Sequence, residues 1–136
     1  ELRKTIVFIT HDLDEALKIG ERISILRDGS IVQDDNPQKI ILNPSDKYVS
    51  DFIKDINRSR VIKAKSIMTK SISIKKENVP IIKSEMVLEE VLQEITKTKY
   101  YFVYVKDNKN KIIGKITLKQ LLSGIQRPRQ ENKKYA

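Results

Sequence analysis

The chain of 136 residues has no cysteine and only one histidine, His11. Without cysteine there is neither a disulfide framework nor a thiolate metal site, which fits a reducing compartment. Nothing beside His11 in the sequence offers a metal partner or a cysteine or serine nucleophile, so no metal ligands are assigned. Long apolar runs are missing too. The longest, IVFI and YYFVYV, fall far short of the ~20 residues that a membrane span requires, and no signal-peptide pattern opens the sequence. A Gly-x-x-x-x-Gly-Lys-Ser/Thr phosphate loop occurs nowhere. The sequence starts at Glu1 within a periodic pattern, as expected of a piece of a longer chain.

What is present is charge, unevenly placed. Residues 1–57 carry eight Lys/Arg against eleven Asp/Glu, and residues 58–136 carry nineteen against seven, so the net changes from −3 to +12. The change coincides with INRSRVIKAK, a basic stretch without apolar periodicity, and a domain boundary is expected near residues 57–62. A basic half of this kind fits nucleic acid, an anionic membrane surface or a solvated lysine-rich face.

In the first part, KTIVFIT is a β-branched run that reads as a buried strand of a parallel sheet. His11 follows it, then Asp12 with Glu15 three residues on, a capping-box pattern, and Gly20 as a helix stop. The carboxyl-end turn of such a strand–turn–helix unit is where open α/β sheets bind ligands. RISIL and SIVQ read as a hairpin turned by Asp28-Gly29. NPQKIIL and NPSDKYVSDFIKDI each start a helix, the second with Tyr48, Phe52 and Ile56 at four-residue spacing.

The stretch TIVFITHDLDEALKIGERISILRDGSIVQDDNPQKIILNP resembles the last part of an ATP-binding cassette (ABC) transporter ATPase subunit, with ITHDLDEA similar to the switch-histidine motif. The continuation YVSDFIKDINRSRVIKAKSIM is similar to the glycine betaine/proline (quaternary amine) importers, whose ATPase subunit runs on into CBS domains. The resemblance implies that His11 is a catalytic residue contacting the γ-phosphate of ATP. An imidazole suits that task because it can donate a hydrogen bond to charge building up on a transferring phosphoryl group. It further implies ATP with Mg²⁺ in the intact protein, with phosphate loop, signature motif and Mg²⁺-holding acidic strand upstream of Glu1, so this chain alone should be inactive. A second ATPase subunit and a transmembrane permease are the implied partners. The implied place is the cytoplasm, peripheral on the inner face of the cell membrane.

In the second part, SISI and VPII are strand candidates, and SEMVLEEVLQEITKTK is an amphipathic helix with Val87, Val91 and Ile95 on one line and Ser84 as N-cap. YYFVYV and IIGKITL are further strands, and LKQLLSGI is a final short helix. The order β-α-β-β-α resembles one CBS motif, and no second copy is evident. The fold class expected is thus an α/β fragment of an ABC ATPase domain (1–57), then an α+β CBS motif with its linker (58–125), then a basic tail (126–136) without fixed structure. A single motif of this size buries little apolar surface, and CBS motifs pair through their sheets, so the resemblance implies pairing with a second copy. The family's ribose-binding pattern, Gly-φ-φ-Thr/Ser-x-x-Asp with φ apolar, reads here as Gly114, Ile116, Thr117 and then Gln120 in place of the aspartate. Gly114, Thr117 and Gln120 are therefore the candidate residues for an adenine nucleotide. Thr117 and Gln120 also make a T-x-x-Q capping box. Two other readings stand beside the importer subunit. One is a stand-alone CBS sensor of an adenine nucleotide. The other is a basic nucleic-acid-binding protein with Tyr100, Phe102 and Tyr104 as a stacking face, disfavoured because no RRM or KH signature accompanies them.

Overall fold

The computed structural model describes residues 4–70 and 78–126. Packing divides the chain into two compact units, Glu1–Ile56 and Asn57–Ala136.

In the first unit, helix α1 (Leu13–Ile19) starts where the Asp12 carboxylate accepts from the Glu15 amide at 3.1 Å. It stops at Gly20, whose amide donates to the Ala16 carbonyl at 2.8 Å. Gly20 has φ −79°, so the stop is not left-handed. The residue is glycine because a Cβ would lie 2.8 Å from the Ala16 carbonyl oxygen. Strands β1 (Ile23–Arg27) and β2 (Ser30–Asp35) form an antiparallel hairpin. Asp28 (φ 50°) and Gly29 (φ 77°) both take the left-handed turn conformation that matches strand twist. Helices α2 (Pro37–Leu42) and α3 (Lys47–Phe52) are capped by the side chains of Asn36 and Asp46. Gln33 ties hairpin to helices, its amide donating to the Asn43 carbonyl at 3.1 Å and accepting from the Ser45 amide at 2.9 Å. Leu17, Ile25, Ile40, Ile41, Val49 and Ile53 are buried.

Two sequence expectations change here. Residues 4–10 make no strand ladder, and the run meant for a sheet interior is open, with exposures from 55% at Phe8 to 92% at Ile9. An extended run becomes a buried strand only where neighbouring strands satisfy its amides, and none among the described residues does. Helix α3 also ends at Phe52. Tyr48 and Phe52 therefore stack at 6.1 Å, while Ile56 is buried beyond the last turn.

The second unit is a three-stranded sheet in the order β3 (Ile81–Lys83), β4 (Phe102–Lys106), β5 (Ile112–Thr117). β3 and β4 are parallel, joined by helix α6 (Leu88–Thr96); β4 and β5 are antiparallel. Register places Ile82, Val103, Val105 and Ile116 on one face, and these are buried with Leu88, Val91, Ile95 and Leu121 of α6 and α7 (Leu118–Ile125). Tyr100, Phe102 and Tyr104 meet edge to face, with centroids 6.1 and 5.6 Å apart, as an aromatic ladder on a strand packs. The expected strand SISI and most of the basic tail lie outside the described residues.

The stretch that leads into the sheet forms two short helices, α4 (Arg58–Val61) and α5 (Ala64–Ile67). Around them the backbone bonds along the turn before α6: Ala64 to the Met86 carbonyl at 2.8 Å, Lys65 to Ser84 at 3.0 Å, Leu88 to Ile62 at 3.0 Å. Ser84 sits at the strand end, where its amide donates to the Lys106 carbonyl, too far before Leu88 to be the N-cap of α6. That helix begins after Val87, whose amide donates to the Glu90 carboxylate at 3.2 Å. Glu85 accepts from the Lys63 and Lys65 ammonium groups at 2.8 and 2.7 Å, and these donors hold its carboxyl below the usual range. A depressed folded pKa stabilises above the unfolded value and is lost as pH falls through the folded one. Glu85→Gln is therefore expected to cost about 0.5 kcal/mol at neutral pH, given the exposure of all three groups. In urea titrations the difference should begin to shrink below the ordinary glutamate value of ~4.3, vanish once the pH has passed below the lowered folded value, and also shrink in high salt.

Candidate functional site

The residues singled out in the CBS-like segment come together where β5 runs into α7. Thr117 is the N-cap of α7. Its hydroxyl accepts from the Gln120 amide at 3.2 Å and donates to the Gln120 side-chain oxygen at 2.9 Å, and that same oxygen accepts from the Thr117 amide at 2.9 Å. The box anticipated from T-x-x-Q is thus closed on both sides. The other end of the Gln120 side chain donates to the Thr69 hydroxyl at 2.6 Å, 51 residues away in sequence. An aspartate at this position could not make that donation, because an ionised carboxylate only accepts.

Gly114 serves the same junction. Thr69 bridges Lys115, each amide donating to the other's carbonyl at 3.0 Å. This brings residues 68–69 so close that a Cβ on Gly114 would lie 2.7 Å from the Thr69 carbonyl oxygen and 2.9 Å from the Met68 sulfur. A close approach, rather than an unusual dihedral, demands the glycine.

Sequence reasoning missed two members of this arrangement. Thr69 is a lone threonine in a polar stretch, and only the tertiary bridge gives it a role. Arg58 reads as one of many solvated cations, yet it is 8% exposed. Its Nε donates to the Gly124 carbonyl near the C-terminus of α7 at 3.1 Å, where a cation faces the negative end of the helix. Burial pushes its guanidinium below its ordinary value. Helix α7 is thus held at its start through Gln120 to Thr69 and near its end by Arg58.

His11 lies in the other unit, exposed on the bend before α1. The Thr10 hydroxyl beside it donates to Glu15 at 3.0 Å and accepts from the Asp12 amide at 3.0 Å, so the turn is built independently of the imidazole. Among the described residues no group of three or more His, Asp or Glu side chains is placed to hold a metal ion, and no phosphate loop is in the sequence. The described residues by themselves assemble no site for ATP with Mg²⁺.

Gly114→Ala should force the Met68–Thr69 backbone away from β5 and cost about 1–3 kcal/mol, in the range of overpacked sites. Denaturant unfolding measures the loss. Hydrogen exchange should show the Thr69 and Lys115 amides losing protection first.

Residues 64–127 match the CBS domain family model. The trimethylamine N-oxide transport system ATP-binding protein of Pelagibacter ubique is 40% identical over 116 residues, 85% of this chain and 33% of that protein. The glycine betaine transport ATP-binding protein of Bacillus subtilis is 42% identical over 113 residues, 83% of this chain and 25% of that protein. The chain thus spans a third or less of the length of these relatives. A solved CBS-domain pair with bound AMP from Klebsiella pneumoniae superposes with a TM-score of 0.32 at 15% identity, over 88% of this chain and 86% of that one, too loosely to bear on ligands. The match to the CBS domain family thus falls on residues 64–127, and the chain is a homologue of ATP-binding subunits of glycine betaine and trimethylamine N-oxide transport systems.

Proposed function

We propose that the chain is part of the ATPase subunit of an osmoprotectant ABC importer, with residues 1–57 the end of its nucleotide-binding domain and the CBS domain a regulatory segment. The observation that carries this reading is homology running over 85% of the chain, beyond the CBS match, to transport ATP-binding proteins. On this reading His11 is the switch histidine, presented from a turn that Thr10, Asp12 and Glu15 hold in shape. Its partners are a permease in the membrane and a second ATPase subunit, with the CBS domains paired and the assembly on the cytoplasmic face. The test uses the full-length subunit with its own upstream sequence. His11→Ala should lower ATP turnover by 100-fold or more, on the order of the loss of one donor to a developing oxyanion, with ATP still bound. Undiminished turnover overturns the assignment.

A second reading concerns the CBS domain itself, an adenine nucleotide held at Gly114, Thr117 and Gln120. It is supported by the gathering of a hydroxyl, a carboxamide and a close-packed glycine at one strand–helix junction. The ribose hydroxyls must compete with the bond from Thr117 to Gln120, and a neutral carboxamide is a weaker acceptor than a carboxylate. Calorimetric titration with AMP, ATP and a cyclic adenine dinucleotide should therefore give weak binding. Thr117→Ala should abolish it, and Thr117→Ser, which keeps the cap, should restore it. Tight AMP binding that survives Thr117→Ala would place the nucleotide elsewhere.

A further inference from the structure

At the opposite end of β5 from Thr117, the carboxyl ends of the parallel strands β3 and β4 open onto a hollow of about 270 Å³ lined by Lys83, Lys106, Asp107, Asn108 and Asn110. We propose that this hollow is a phosphate-group site, with Lys83 and Lys106 as its cations and Asn108 and Asn110 as neutral donors. β5 spans six residues between the two ends, about 17 Å at the usual rise per residue, so the site is separate from the β5–α7 junction and rests on neither reading above.

Lys83 and Lys106 are direct register partners, so their side chains leave the same face of adjacent strands. Like charges placed opposite one another destabilise a sheet unless an anion lies between them. The two lysines that hold Glu85, Lys63 and Lys65, have their carboxylate within 2.8 Å, whereas no carboxylate among the described residues lies within ion-pair distance of Lys83 or Lys106.

The one carboxylate in the lining is already engaged. One oxygen of Asp107 accepts from the Lys109 and Lys111 amides, both at 2.9 Å, and so shapes the β4–β5 turn. That turn has Asn110 at φ 61° and brings the Asn108 and Asn110 carboxamides to the rim. The summed side-chain charge of the lining is a single positive one, suited to a phosphate monoester or inorganic phosphate rather than a polyphosphate chain. Ligands of parallel strands characteristically sit outside their carboxyl ends, and β3–β4 is the one parallel pair among the described residues.

A soluble phosphate and a phospholipid headgroup present the same chemistry, and two arms separate them. In the first, the 136-residue chain is titrated with inorganic phosphate at constant ionic strength and followed by amide NMR. Saturable shifts at Ser84 and residues 106–111 are expected. They should weaken about tenfold or more when Lys83→Gln and Lys106→Gln remove both charge-assisted donors, and stay unchanged in Thr117→Ala. Both lysines are at strand ends, so amide shifts elsewhere should show the double variant folded. In the second arm, phosphatidylglycerol and phosphatidylcholine vesicles are sedimented with the same proteins. Loss of phosphatidylglycerol binding in the double variant, with no response to inorganic phosphate, identifies the headgroup as the source. Saturation by inorganic phosphate with unchanged sedimentation identifies a soluble ligand. A double variant that matches the parent in both arms overturns the proposal.

Discussion

At Gly114 two backbone segments meet with no room for a side-chain carbon between them, and the second unit is organised around that approach. The pair of bonds between Thr69 and Lys115 extends the sheet beyond β5 and fixes the chain just after α5. Because Thr69 is held there, its hydroxyl is in place to receive the Gln120 carboxamide, and the start of α7 is set by a residue far away in sequence. Removing the approach would loosen the strand edge, the helix start and the exit from α5 together, since all three share the same atoms.

What could be read in advance was local. Asp28-Gly29 dictates a turn with two positive φ angles, and Asp12 and Thr117 cap the helices they precede because short polar side chains reach the free amides of a first turn. What could not be read depends on partners distant in sequence or not specified by it. Ser84 looks like a cap, yet α6 does not begin until Leu88, because the residues between belong to the turn that pairs with the α4–α5 segment. Residues 6–9 carry the pattern of a buried strand, but a pattern states only what would favour burial, and pairing must be supplied from elsewhere. Of the candidate site, the T-x-x-Q box was legible and its tether to Thr69 was not. The side chains of Gln120 and Thr69 carry no mark that they will meet.

The positive charge of the second half is not a uniform coating. Part of it is neutralised at short range, as at Glu85; part is buried against a helix end, as at Arg58; and part is left facing its own kind at Lys83 and Lys106. A net charge describes how a protein associates rather than how it folds, and here the three settings give the same kind of side chain three different jobs.

The side chains that fasten the segment entering the CBS domain are of two kinds, and the two respond to different surroundings. The clasp of Lys63 and Lys65 on Glu85 faces water, so dissolved ions weaken it. Arg58, enclosed against Gly124, is shielded from those ions. A rise in salinity therefore weakens the water-facing clasp, and with it the exposed pair of Arg60 and Glu89, while the bond from Arg58 to Gly124 keeps its grip.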